Sequence, residues 1–338
     1  MAYSWTFANV WNDSLIQKER AVEPRDYIWA SELGGSYINR FYKMQGIKPT
    51  NPPNLRSMRK FQAGNIWEYV VYNVLKRAGL IISTQDKIRH QYEGLIMVSG
   101  KQDFIVGGTP NFDKAVEEIK DQDLPEMLYN SSMAIIEKLR GMNVVELEKY
   151  VLEIKSSAGN MYDMYERNGA ASDNHQLQCF HYLIGGGFDE GRVVYINKDN
   201  CLLLEFPIYR NDTKLEQMYR NDIAQMTEYI TSGAPPKKED EVLFDPNTLT
   251  FKMNYKVEYS DYLTMIYGYE RPELYRERWD KLVKSWNRVY KRCVNGDKMT
   301  KLNLEAIVEV KKVFSNFDEL VSVGEGNKSF LVADSEEE

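Results

Sequence analysis

The sequence predicts an α/β fold with a helical insertion and a helical C-terminal appendage. Three observations lead there. Apolar runs of strand length occur at 92–98, 104–106, 150–154, 192–196 and 201–206. Segments with apolar residues at helical spacing lie before and between them. Beyond Tyr209 the strand-like runs stop and helical spacing takes over.

Taken in order, residues 1–56 form a mostly helical segment interrupted at Gly34-Gly35 and closed by a loop at Pro49, Pro52 and Pro53. A helix is expected from about Ser57 to Ala78. Trp67, Val70, Val71 and Val74 repeat there at helical spacing, and Gly79 follows as a stop. Residues 57–210 make the core. Within it, 111–149 is charged and helical in pattern, broken at Pro125, and reads as an inserted arm. Asp199-Asn200 separates the last two strand-like runs by a hairpin turn. A helix over 213–231 ends at Gly233 and Pro235-Pro236 and opens an appendage spanning 211–325. Within that appendage 237–255 reads as irregular, and 260–315 as helical and rich in Tyr and Trp. Its stretch Tyr275–Arg292 mixes aromatic and basic residues, either as a nucleic-acid surface or as a solvated helix with buried rings. The acidic tail 326–338 is expected to be disordered. No internal repeat is visible.

Composition narrows the function. The chain has 338 residues and a formal net charge of −7, which argues against non-specific coating of nucleic acid through global charge. A local basic groove is compatible with it. No apolar run is long enough to span a membrane, and the first residues lack the pattern of a secretion signal. Three cysteines, Cys179, Cys201 and Cys293, are too few for a disulfide framework or a four-thiolate cluster. A reducing, cytoplasmic location is expected, with no membrane partner. The 23 tyrosines serve mainly as core and interface filling, with base stacking as the alternative use.

The chemistry-bearing residues begin with Glu-x-Lys, which occurs at Glu118–Lys120, Glu153–Lys155 and Glu309–Lys311. Residues two apart on a strand share a face, so a carboxylate can hold a metal while the lysine meets a water. Only Glu153–Lys155 ends a strand-like run. Upstream, Asp103 opens the 104–106 strand. Two carboxylates and a main-chain carbonyl suffice for a hard cation such as Mg2+ or Mn2+, which prefers oxygen and keeps several waters. Glu68 lies at the edge of the apolar face of the first strong helix. Downstream, Gln178 and Tyr182 are four apart on one helix face, with His175 close to it.

This order of a helix glutamate, a strand aspartate, a strand Glu-x-Lys and a helix Gln-x-x-x-Tyr resembles the PD-(D/E)XK nuclease superfamily, in particular its RecB-like and lambda-exonuclease-like branches. The matching pairs are Gly64 and Glu68, Gly100 and Asp103, Glu153 and Lys155, Gln178 and Tyr182. The resemblance covers roughly 25–210. It implies a restriction-endonuclease-like core with a central mixed β-sheet flanked by helices. It implies a Mg2+- or Mn2+-dependent deoxyribonuclease, most naturally an exonuclease or end-processing enzyme of recombination, repair or phage replication. The alternatives are a structure-specific or restriction-like endonuclease, or a non-catalytic DNA-binding protein of the same fold. Asp103, Glu153 and the Ile154 carbonyl would ligate the metal, and Lys155 would orient the attacking water. Glu68 would act through a water or as an additional ligand. Gln178 and Tyr182, with His175, would contact DNA and brace the site. Ser31, Arg25 and Arg40 would meet phosphate, although Ser31 also fits a helix N-cap. The implied partner is DNA, as an end or a single strand, with a single-strand annealing or replication protein as a further candidate partner. No iron–sulfur cluster is expected, because the four cysteines it needs are missing. The gap between Asp103 and Glu153 is long for the family and is assigned to the inserted arm.

Overall fold

The computed structural model describes residues 6–15, 22–122, 124–142, 145–246 and 248–324. It divides into two compact units, one of 1–48 with 53–236 and one of 49–52 with 237–338.

The larger unit opens with α1 (Phe7–Leu15), β1 (Tyr27–Trp29), a 3-10 turn (Ala30–Glu32), α2 (Tyr37–Met44) and α3 (Leu55–Arg77). Asn54 caps α3 by accepting from the Ser57 amide. Strands β2 (Ile81–Thr84), β3 (Lys87–His90), β4 (Met97–Lys101) and β5 (Phe104–Gly108) follow. The insertion holds α4 (Phe112–Lys120) and α5 (Glu126–Gly141), which bury Ala115, Ile119 and Ile136 against each other. Then come β6 (Leu147–Ser157), α6 (Gly159–Asn168), α7 (Asp173–Gly186), β7 (Glu190–Asn197), β8 (Leu203–Tyr209) and α8 (Thr213–Ser232).

A five-stranded mixed sheet of order β2-β5-β6-β7-β8 forms the centre. The β6–β7 pair is parallel and the other pairs are antiparallel. Helices cover both faces, as expected for a restriction-endonuclease-like core. Beside it, β1, β4 and β3 make a small sheet of order β1-β4-β3. The period-2 alternation of β6 divides its side chains. Leu152 and Ile154 pack with Phe104, Val106, Val194 and Ile196 beneath Trp67, Val71 and Leu75 of α3. Val151 faces the opposite cluster, with Leu177, Phe180 and Leu183 of α7 and Tyr219, Ile223 and Met226 of α8. The odd-numbered positions of β6 therefore look toward α7, and Glu153 and Lys155 are odd-numbered.

The β5–β6 ladder carries an irregularity at Gly107, whose φ is +99° and where a Cβ would sit 2.0 Å from the Glu148 carbonyl oxygen. Only glycine fits so close to a neighbouring backbone.

In the smaller unit β9 (Val242–Asp245) and β10 (Thr250–Met253) form an antiparallel hairpin, followed by α9 (Tyr255–Glu258), α10 (Leu263–Tyr267), α11 (Pro272–Val294) and α12 (Lys301–Val313). Proline at the first position of α11 is preorganised for a helix start. Tyr275, Trp279, Val283, Trp286, Val289 and Tyr290 form its buried stripe. The rings of the Tyr275–Arg292 stretch are thus core.

Three differences from the sequence expectations stand out. The expected boundary at 210–211 and the division after Pro236 differ by α8, because α8 buries Leu215, Tyr219, Ile223 and Met226 in the larger unit's core. The irregular stretch 237–255 contains the β9–β10 hairpin, anchored by buried Val242 and Phe251. Strands β1, β2 and β3, each three or four residues long, were not expected. The acidic tail lies outside the described residues. Among the described residues no helix is long and apolar enough to cross a membrane.

Candidate active site

The β5–β6 register pairs Phe104 with Leu152. Extending it by one residue sets Asp103 directly opposite Glu153, where facing side chains lie within reach of each other. The helical insertion does not disturb this, because α4 and α5 leave and return at the far end of the ladder. Asp103 Oδ2 accepts from the Ile154 amide at 2.8 Å. Lys155 Nζ donates to Glu153 Oε1 at 2.6 Å and to Gln178 Oε1 at 3.1 Å. Gln178 Nε2 donates to the same Glu153 oxygen at 2.7 Å and to the Tyr182 hydroxyl at 3.2 Å. That hydroxyl donates to the Lys101 carbonyl at 2.9 Å. The chain of bonds runs from β6 through α7 to the end of β4.

Gly100 permits the last link. A Cβ there would lie 2.8 Å from the Tyr182 hydroxyl and 2.7 Å from Ala30 Cβ. The glycine and aspartate of Gly-x-x-Asp therefore do different work, one seating Tyr182 and the other facing Glu153.

Burial shapes the electrostatics. It raises the Asp103 carboxyl well above the ordinary range, and the Glu153 charge raises it further. Burial likewise raises Glu153, against the opposing pull of Lys155. Lys155 is raised despite its desolvation, because Glu153 and Asp103 both favour its charge. Lys155 is therefore an ammonium and a proton donor. Glu153 Oε2 is buried without any hydrogen-bond partner. A buried carboxylate oxygen left bare costs free energy, and a cation is the natural complement. The donors suit a hard cation: two facing carboxylates, one with an open oxygen. Among the described residues no three of His, Cys, Asp and Glu gather into a metal-binding group.

Glu68 is close enough for its charge to raise both Asp103 and Glu153. Gln85 Nε2 holds its Oε1 at 2.7 Å. Gln85 has φ of +56°, and its amide donates to the Gln102 and Asp103 carbonyls at 3.1 and 3.3 Å. This residue ties α3 to the start of β5. Its only sequence signal is its place in a polar turn, Ser83-Thr-Gln-Asp86.

The remaining candidates separate. Gln178 and Tyr182 are buried and offer little surface to a DNA strand. His175 lies near Lys155, but its Nδ1 is 2.7 Å from the Tyr195 hydroxyl. Burial and then the Lys155 charge push it down to about 3, so it is neutral and carries no charge to a phosphate. Tyr195, stacked on Tyr165 at 4.1 Å, also accepts from the Ser172 amide and is a brace that the sequence did not reveal. Arg40 is 2% exposed and makes a two-pronged ion pair with Asp222, both bonds at 2.8 Å. It cannot meet DNA, which corrects the sequence expectation. Arg25 is paired with Glu32 at 2.6 Å. Ser31 is exposed within the 3-10 turn, and the N-cap of α2 is Ser36 instead. The other two Glu-x-Lys pairs lie on helices α4 and α12, where residues two apart diverge.

No family model matches the chain, and no curated protein matches it. Solved structures do. SSO0001 shares 14% identity over 79% of this chain and 98% of that one, with a TM-score of 0.44. The alkaline exonuclease LHK-Exo from Laribacter hongkongensis shares 12% identity over 67% of this chain and 97% of its own, with a TM-score of 0.32. The same exonuclease in complex with dAMP gives 15% identity, 61% and 95% coverage and a TM-score of 0.31.

Proposed function

We propose that the chain is a divalent-cation-dependent deoxyribonuclease that hydrolyses phosphodiester bonds, working as an exonuclease or end-processing enzyme. The observation that carries the reading is the facing of Asp103 and Glu153, with one Glu153 oxygen open and Lys155 held beside it. The order of motifs along the chain supports the same reading.

Asp103 and Glu153 would hold Mg2+ or Mn2+, with the Ile154 carbonyl as a further oxygen. Such a cation supplies charge neutralisation at the scissile phosphate and acidifies a water. Lys155 stays protonated, so it donates to the attacking water or to a phosphate oxygen and does not act as a base. Gln178 fixes both ends of the Glu153–Lys155 pair, since its amide bonds to each. Tyr182 fixes Gln178 in turn. Their contribution is positional, holding the donors within the narrow tolerance that catalysis needs. Glu68, clamped by Gln85, adds negative charge near the pair and orients solvent there. None of these groups reads a base edge, so cleavage is expected without sequence specificity.

The test is incubation of linear and circular DNA with Mg2+, Mn2+ or EDTA. Metal-dependent loss of linear DNA only is the expected result. Nicking of circles would make the enzyme an endonuclease. Absence of any metal-dependent loss would overturn the reading in favour of a DNA-binding protein. Lys155→Ala should abolish cleavage while keeping DNA binding, and Asp103→Ala should weaken metal binding as well.

A further inference from the structure

We propose that Lys60, Lys198 and Ser156 form a subsite for an internal phosphodiester of the bound strand. This rests on the nuclease reading above and extends it to how the substrate strand is tracked.

The geometry begins at Ser156, the residue after Lys155. It is even-numbered, so it faces α3, and the Cβ direction of Gly64 points to its Oγ at 3.8 Å. Lys60, Gly64 and Glu68 are spaced four apart and share one face of α3. That face therefore runs from the Glu68 end of the carboxylate site, past Ser156, to Lys60. Lys198 arrives from the other side. Its amide donates to the Ser157 carbonyl at 2.9 Å, which pins it beside the end of β6. As the even-numbered continuation of β7, it follows Val194 and Ile196, which pack toward α3.

The two lysines thus come near enough for the charge of Lys60 to act on Lys198. Among the described residues neither Lys60 nor Lys198 has a salt-bridge partner. Asp199, whose charge acts on Lys198, accepts from the Gly159 amide at 2.8 Å and caps the start of α6. Burial lowers Lys198 from its ordinary range, and the Lys60 charge lowers it further, against a smaller opposing effect of Asp199. Two like charges held together call for an anion. A protein with a net charge of −7 that keeps an unpaired cationic pair at the end of β6 is best matched by a backbone phosphate of the same strand.

The experiment measures DNA binding in EDTA, where no cleavage occurs, by fluorescence anisotropy between roughly 50 and 200 mM salt. The probes are one single-stranded oligonucleotide bearing either a 5′-phosphate or a 5′-hydroxyl. Lys60→Ala/Lys198→Ala should reduce the magnitude of the log Kd against log salt slope by about 1.4, or roughly 0.7 for each lost phosphate contact. The reduction should be the same for both oligonucleotides. Lys60→Arg/Lys198→Arg, which keeps both charges, should keep the wild-type slope, and circular dichroism checks that every variant is folded. A wild-type slope in the double alanine variant overturns the proposal. So does an effect confined to the 5′-phosphorylated probe, which would assign the lysines to a terminal phosphate. A failed cleavage assay with an intact slope effect would sink the nuclease reading and leave a DNA-backbone site. A wild-type chain that does not bind either probe would end both.

Discussion

Replacing Arg40 by leucine should be among the most damaging single changes in the larger unit, although the residue touches nothing in the candidate site. Its guanidinium meets both oxygens of Asp222 at 2.8 Å, with the two side chains 2% and 8% exposed. The Gly35 carbonyl accepts a further bond at 3.2 Å, and the Tyr37 ring lies 4.6 Å from the guanidinium carbon. Arg40→Leu removes the cation and leaves the Asp222 carboxylate buried, with the Gly34 amide at 3.2 Å and the Tyr37 hydroxyl as its neutral partners. Breaking a buried pair from one side costs about 3–5 kcal/mol. For a unit of this size that lowers Tm by roughly 6–20 °C, at 2–4 °C per kcal/mol. Arg40→Leu/Asp222→Leu removes both charges and should recover most of the loss, since matched apolar replacements of buried pairs are often close to neutral. Thermal unfolding followed by circular dichroism measures both. DNA binding by the single variant, assayed well below its Tm, should equal that of the wild type. A loss below about 1 kcal/mol, a double variant no better than the single, or a weakened DNA complex would each refute the structural assignment of Arg40.

Gly100→Ala must displace Tyr182, because the new methyl would meet its hydroxyl at 2.8 Å. Overpacking of this kind costs about 1–3 kcal/mol. Cleavage at a temperature where the variant is folded should fall further than the change in urea midpoint accounts for, and full activity would contradict the bracing role of Tyr182. His181 is buried between the Tyr219 hydroxyl and the Ile88 carbonyl and is pushed down to about 4, chiefly by burial. A lowered histidine stabilises the fold above the ordinary value near 6.5. That stability is lost as pH falls from there toward 4, at up to about 1.4 kcal/mol per pH unit. Urea midpoints at pH 7 and 5 should show the loss, and His181→Gln should flatten it; equal slopes in the two proteins would refute the assignment. Burial raises Asp103 and Glu153, so stability falls as pH rises from the ordinary carboxylate range to their elevated values, above which both are charged and open to a cation. Mn2+ should therefore raise Tm more at pH 8 than at pH 5.5. Glu153→Gln should remove most of that response, and a pH-independent shift would mean the cation sits elsewhere.

The legible parts of this molecule are those where one local pattern fixes the answer. Glu153 and Lys155 could be paired because a strand repeats every two residues and the run Tyr150–Ile154 is a strand. Asp103 could be paired with them because it opens a strand, and an inserted helical pair explains its distance along the chain. What stayed hidden depends on partners far away. Nothing near Arg40 announces that Asp222 lies 182 residues on. The apolar stripe of α8 shows that the helix packs, but not that it packs on the larger unit. Gln85 is found by a backbone turn that no side-chain pattern encodes. Tyr182 and Gln178 were legible as candidates for bracing the site, whereas their burial needed the strand and helix placed together.

The position of β6 has a consequence for how this protein loses its proposed activity. The strand is flanked on one side by β5 and β2 and on the other by β7 and β8, so its amides are among the hardest in the unit to expose. In hydrogen exchange Glu153, Ile154 and Lys155 should open only with the whole sheet. Fraying of termini and loops would leave the proposed catalytic set untouched, and inactivation by denaturant should coincide with cooperative loss of the sheet rather than precede it.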